Sequence, residues 1–533
     1  VDPQALAAAA AAATAAGEPT PVPRTSGRAR SRWRWWQVAG GGFAVGGLLV
    51  ALLLWLMPQA TAPPGLQRAT ASKPVIAIRP LLAQAAFDPQ TFAVASRISG
   101  RLRASPELRV TSPDAVAALN DPATASVTIM ATLESDALIE VLPVRVQPDG
   151  YHASVRLLMS GALPVSLPPV GPFADLSGLA DALVAALAPH LRLDPEAWHA
   201  QPHHGDARGN PEALEHFARG LRHSATESPG GTALACQAFK ASIDADPEFA
   251  AGYARWAQCL LTQYRFGAVD AATAFDYART AASMALDRDA HNADARAAVA
   301  DLFAEATHEW ARAEDEFHKA LAADSSNVFA RSRYAMLLAG RGRTAEAVEQ
   351  LTDARRSAPL STVLRGYMAM ALHYAGRDDE ALALFQQLRS IDTALESPLV
   401  GQCRIFVSVG KFEDALSACR DLSARRGGRD AFSQAQIVAA LGRSGRHGEA
   451  DRLLRDLRAQ YDAASEQDRP NLAFFLATAY AGLEQVEAVF SWLEVAAAGK
   501  SSRLSYFRVD QRFAIVRSDP RWADVLSRYE SGL

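Results

Sequence analysis

The hydrophobic rhythm of the chain changes three times along its length. Val38 to Met57 is an uncharged run of twenty residues, VAGGGFAVGGLLVALLLWLM. A helix of that length rises about 30 Å, the hydrocarbon thickness of a bilayer, so the run predicts a single transmembrane helix over 38–57. Between 74 and 200 short apolar runs alternate with polar ones, and the period is that of strands with a few helices. From 210 to 533 small and apolar residues recur every three or four positions, and only helix is expected. Two segments lack a core pattern: 1–37, alanine-rich and then rich in Pro, Gly, Ser and Arg, and 58–73, a Pro-rich linker.

In the mixed segment Val75–Ile78 and Leu108–Val110 read as strands, and Phe92 to Leu102 as a helix. Val127–Leu133, Leu138–Val146 and His152–Leu158 read as further strands, with Pro148-Asp149-Gly150 as a hairpin turn. Leu176–Leu187 has the spacing of an amphipathic helix. A small α/β domain follows from this.

The helical segment repeats. Gly342, Gly376 and Gly410 open GRTAEAVEQLTDA, GRDDEALALFQQL and GKFEDALSACRDL, at intervals of 376 − 342 = 34 and 410 − 376 = 34, and Gly445 continues the series one residue late. A 34-residue period with a small residue five positions after the glycine is the tetratricopeptide pattern of paired helices. About eight units are expected. The fold class is thus mostly α: a single transmembrane helix, a small α/β domain, then an α-solenoid of tetratricopeptide-like repeats.

Charge refines the topology. The chain carries 54 Lys and Arg against 58 Asp and Glu, a net −4, which gives it no overall pull toward nucleic acid. Five arginines between 24 and 34 precede the apolar run, and excess arginine keeps its side of a membrane cytoplasmic. The expected location is therefore a bacterial inner membrane, single-pass, with the N-terminus cytoplasmic and the C-terminal domains periplasmic. Gly42 and Gly46 form a G-x-x-x-G face suited to a helix dimer, hence a possible homodimer, although glycine is also simply frequent in membrane helices. Cys403 and Cys419 fall in one repeat, as a possible disulfide or as two buried thiols; Cys236 and Cys259 carry no motif.

Catalytic motifs fail on inspection. Gly499-Lys500-Ser501 lacks the earlier glycine of a phosphate loop, and His308-Glu309 lacks the second histidine of a zinc protease. No enzyme activity, cofactor or metal is expected. Partner binding is expected in the concave groove lined by first helices, where Phe329, Met370, His373, Tyr374 and Arg404 would act as anchors for a protein or peptide.

IAIRPL, RISGRLRASPELRVTSPDAV and the strand-rich stretch after them resemble the TolB N-terminal-like domain. With the basic segment, the span and the repeats, the whole resembles the membrane and outer part of CadC/ToxR-like transcriptional regulators. That resemblance implies a sensor or protein-interaction module in signal transduction and transcription regulation. The family's winged-helix domain precedes the span; residues 1–37 do not make one, so DNA is expected only through a domain missing from this chain. The alternatives are a membrane-anchored scaffold for envelope protein assembly, or the outer half of a receptor-type cyclase or kinase.

Overall fold

The computed structural model describes residues 73–530 apart from 82–87, 104, 106, 112–114, 117–118, 120–123, 194–209, 226–227, 267, 394 and 467. The expected segment 1–37, the span 38–57 with Gly42 and Gly46, and nearly all of the 58–73 linker lie outside the described residues. Among the described residues no helix is long and apolar enough to cross a membrane. The longest, Ala271–Arg288, shows why: it buries one alanine-lined face and carries Asp276, Arg279, Asp287 and Arg288 elsewhere. The fold class is corrected accordingly to a mostly helical repeat solenoid with a small sheet domain, with no transmembrane helix among the described residues. The single-pass inner-membrane location is withdrawn with it.

The sheet domain contains strands β1 (Val75–Pro80), β2 (Arg109–Val110), β3 (Ala137–Val141), β4 (Arg145–Gln147), β5 (Gly150–Ala153), β6 (Val155–Met159), β7 (Val165–Ser166) and β8 (Val170–Phe173). Its helices are α1 (Pro89–Arg103), α2 (Ser126–Thr132) and α3 (Leu176–Leu191). The main sheet has the order β2-β1-β3-β6-β7, parallel from β2 to β3 and antiparallel beyond; β4, β5 and β8 form a second, antiparallel sheet. Successive side chains of a strand point to opposite faces. Ile76 and Ile78 accordingly join Ile139 and Leu157 under α1 and α3, while Ala77, Leu138 and Leu158 meet α2 on the other side. The strand expected over Val127–Leu133 is instead α2. Val127 is exposed, and Ile129, Met130 and Leu133 share one helical face against the sheet.

Eight helix pairs follow. Their first helices are α4 (Pro211–Ser224), α6 (Ala250–Arg265), α8 (Ala293–Leu302), α10 (Val328–Gly340), α12 (Thr362–Tyr374), α14 (Ser397–Ser408), α16 (Ala431–Arg443) and α18 (Arg469–Gly482). Their second helices are α5 (Pro229–Ala245), α7 (Ala271–Arg288), α9 (Trp310–Ala323), α11 (Thr344–Ser357), α13 (Asp378–Ile391), α15 (Phe412–Arg425), α17 (His447–Ala463) and α19 (Val486–Ala498). This is a tetratricopeptide-type solenoid.

The repeating glycines close the first helices. Gly342, Gly376, Gly410 and Gly445 have φ between +77° and +84°, the left-handed conformation that ends a helix without a Cβ penalty. His308 stands 342 − 308 = 34 residues earlier and takes the same conformation at φ +57°, as does Glu484 at +58° in the last unit. A π-turn, Phe303–Thr307, precedes His308. A second register follows the same spacing: Phe317, Leu351, Phe385 and Cys419 are each buried in the second helix of their unit. Cys419 therefore occupies a large-residue position, and it is bonded to Cys403 on the facing helix. Cys236 and Cys259 also form a disulfide, tying α5 to α6.

Candidate functional site

The inner face of the solenoid is lined by the first helices, and the chain itself occupies part of it. After α19 two 3-10 turns, Ser502–Val509 and Gln511–Val516, and helix α20 (Arg521–Glu530) run back along that face. The ring of Tyr506 stacks on that of Tyr374, with centroids 5.1 Å apart and planes 10° from parallel. Gln511 Nε2 donates to the carbonyl of His373 at 3.2 Å. The carbonyl oxygen of Ser505 lies against Gly340, where a Cβ would come within 2.4 Å of it. Leu504, Phe507, Phe513 and Val516 are buried beneath.

The five residues expected to line the groove are divided by this segment. Tyr374 is buried under Tyr506, and its Oη accepts from Arg404 Nη1 at 2.5 Å. His373 is wholly buried, with Nδ1 bonded to Asp378 Oδ1 at 2.5 Å. Met370 packs partly buried against the core. Phe329 stands apart from the other four and lines an open cavity.

That cavity, about 660 Å³, lies between the sheet domain and the inner helices of the first five repeats. One wall is α1, which brings Phe92, Arg97 and Arg101; the other brings Arg265, Asn327, Phe329 and Tyr367. Two contacts hold the walls. At one end the sheet-domain core continues into the solenoid through Leu214 and Phe249. At the other, Arg103 pairs with Asp324 at 3.4 Å and Arg109 with Asp353 at 2.9 Å.

A buried ionic network forms the floor. Asp301, 1 % exposed, accepts from Arg265 Nη1 at 2.7 Å and from Arg333 Nε at 2.8 Å. Arg333 Nη2 also donates to Glu305 at 2.5 Å. Burial pushes the Asp301 carboxyl up, but the two guanidiniums outweigh it and hold it below the usual carboxylate range. The same arginines lie over aromatic rings, Arg265 5.7 Å from the centre of Phe329 and Arg333 5.9 Å from that of Tyr367. The arrangement presents rigid guanidiniums, aromatic faces and apolar side chains, which are groups of recognition. Among the described residues no cluster of His, Cys, Asp and Glu has the geometry of a metal site.

Of the residues named from the sequence only Phe329 lines this cavity, and Arg265, Arg333 and Tyr367, which line it as well, were not among them. The available signal was Asp301, a carboxylate on the inner side of the alanine-rich helix ADARAAVADL, where a charge requires partners. The contribution of α1 had no signal, because it depends on how the sheet domain packs.

No protein-family profile matches the chain, and no curated protein matches it. Solved structures of repeat proteins do. A structure of Pseudomonas aeruginosa pilF is 20% identical, with 41% of this chain and 94% of that chain covered and a TM-score of 0.33. Yeast Tom70 is 16% identical over 59% of this chain and 67% of that one, at a TM-score of 0.32. A tetratricopeptide repeat protein from Parabacteroides merdae is 14% identical over 58% and 99%, at 0.26. Likenesses of this size carry no argument about function, and none bears on the TolB-like or CadC/ToxR-like resemblance. The repeat assignment stands on the eight helix pairs and on the 34-residue spacing of the central units.

Proposed function

We propose that this protein is a tetratricopeptide scaffold that holds a segment of a partner protein in the cavity between its sheet domain and the inner helices. The observation that carries this reading is the division of the inner face. The chain's own C-terminal segment covers the later repeats and leaves a cavity of about 660 Å³ over the earlier ones. Phe266, Leu360 and Ile391, three large apolar side chains left exposed, all line it. Exposed apolar residues gathered in one concavity are a feature of interaction sites. The regulator, cyclase and kinase readings each add an output for which neither the cavity nor the sheet domain argues, and the scaffold reading requires none.

The test is site-specific photo-crosslinking in cells. A photoreactive residue at Phe329 should capture a discrete partner, and one at Lys319, on the exposed face of α9, should not. Equal capture from both positions, or capture from 319 alone, contradicts the reading.

A further inference from the structure

We infer that the Cys236–Cys259 disulfide is a redox latch in the cavity wall, opened by a dithiol and closed again by oxidation. It sets how firmly the first repeat and the sheet domain are held to the second repeat, with or without a partner in place. Helices α5 and α6 form a hairpin. Near its turn the two pack tightly, for a Cβ on Gly252 would come within 2.7 Å of Ile243 Cγ2 and of Ser242 Oγ. Toward its open end the hairpin is closed by the bond between Cys236 and Cys259. Around that bond lies a small apolar cluster of Leu221, Ala235 and Phe239, with Phe92, Phe217 and Trp256 against it. Phe92 belongs to α1, and Phe217 and Leu221 to α4, so the sheet domain, the first repeat and the second repeat meet at the disulfide.

On its other flank α6 is fixed to α8 by polar bonds. Gln258 Nε2 donates to the carbonyl oxygen of Asp294 at 2.9 Å, and Arg265 Nη1 to Asp301 at 2.7 Å. With the disulfide open, α6 therefore stays with α8, and the open end of α5 is the side that yields. Gln258, Cys259, Thr262 and Arg265 line the cavity, as do Phe92 and Phe239, so a shift at this seam alters the wall. The two disulfides differ in access, on which thiol–disulfide exchange depends. Cys236 and Cys259 are each 6 % exposed and Cys259 lines the cavity, whereas Cys403 and Cys419 are wholly buried in the core of the later repeats. A thiolate of the dithiol attacks Sγ of Cys259 from the cavity. The bond between the two sulfurs breaks, and Cys236 leaves as a thiolate that takes up a proton. The second thiol of the reductant then attacks the reductant's own sulfur in the mixed disulfide and frees Cys259 in the same way. Two electrons and two protons pass to the protein, the dithiol leaves as its disulfide, and the cross-link that constrained the hairpin is gone.

The test treats the native full chain with dithiothreitol, traps free thiols with N-ethylmaleimide, and follows labelling and hydrogen exchange by mass spectrometry. Cys236 and Cys259 should be labelled at least tenfold faster than Cys403 and Cys419. Exchange in 217–224 and 229–237 should then speed up at least fivefold, and slow again on reoxidation with oxidised glutathione. Helices α6 and α16 to α19 should keep their protection. Cys236→Ser/Cys259→Ser should show the reduced pattern without dithiothreitol and no longer respond to it. Equal labelling of the two pairs, or release of Cys236 and Cys259 with no change in exchange at the seam, overturns the latch. Loss of protection throughout the chain, on reduction or in the double variant, also overturns it, because the bond is then a staple of the whole fold.

Discussion

Tyr506 lies flat on Tyr374, ring over ring at 5.1 Å, although 132 residues separate them (506 − 374). The contact joins the C-terminal segment to the inner helix α12 and fixes which part of the concave face stays open. Stacked aromatic pairs contribute about 0.5–1.5 kcal/mol beyond their buried area. A double-mutant cycle of Tyr374→Leu and Tyr506→Leu, followed by urea unfolding, should therefore return a coupling of about 1 kcal/mol. Strict additivity would show that the two rings merely neighbour each other.

Gly340 gives a sharper test of the same seating. Alanine in a helix interior normally gains about 1 kcal/mol over glycine. Here the added Cβ would stand 2.4 Å from the carbonyl oxygen of Ser505, so the segment has to move. Gly340→Ala should destabilise by about 1–3 kcal/mol in spite of the better propensity. It should also speed tryptic cleavage after Arg503 or Arg508. A stabilised variant with unchanged cleavage contradicts the seating.

Asp301 neutralises two arginines that face the cavity. Asp301→Asn leaves Arg265 without its counter-charge and Arg333 with Glu305 alone, and breaking a buried pair from one side costs about 3–5 kcal/mol. Replacing Arg265→Met, Asp301→Leu, Arg333→Met and Glu305→Gln together should cost less than the single change, because no buried charge of the network is then stranded. Thermal unfolding of both variants checks the order.

His308 makes stability depend on mild acid. Its imidazole is 7 % exposed, stacked on Trp310 and packed against Tyr529, which also meets Trp310. Burial, with the charge of Lys500 adding to it, lowers its pKa to about 4. The unfolded chain binds this proton below about pH 6.5, whereas the folded chain does so only near 4. Stability therefore falls as pH drops across that window, by at most about 3 kcal/mol. His308→Asn keeps a residue that tolerates the left-handed conformation and removes the titration. The loss between pH 6.5 and 4 should shrink in that variant. Asp510, held at about 2 because Arg512 outweighs the effect of its burial, loses its contribution only below about pH 3.9, so the two effects separate.

The repeats were legible because each unit solves the same packing problem with the same residue types. Gly342, Gly376 and Gly410 mark left-handed turns, and Ala347 with Leu351 marks a close helix contact. The third unit interrupts the glycine series, because His308 fills the glycine position after a π-turn. The large-residue register hid at Cys419, where a disulfide to Cys403 replaces bulk. Cys236 and Cys259 belong to adjacent units, and no spacing rule links them. Of the groove, Phe329 could be placed by its repeat position. The covering of Tyr374 and His373 could not, because it depends on a return of the chain from residue 502 onward that has no period. The second wall of the cavity is a docking of two domains through pairs such as Arg109 with Asp353, 244 residues apart, and local pattern does not encode that.

The account turns on where a ligand sits, and hydrogen exchange measured by mass spectrometry on the full chain reads this directly. With the partner captured at Phe329 present at saturation, protection should rise in the first turns of α8, α10 and α12 and along α1. Exchange across 502–516 should stay as slow as in the free protein. Protection confined to the second helices, or faster exchange across 502–516 as the ligand displaces that segment, would contradict a partner site in the cavity.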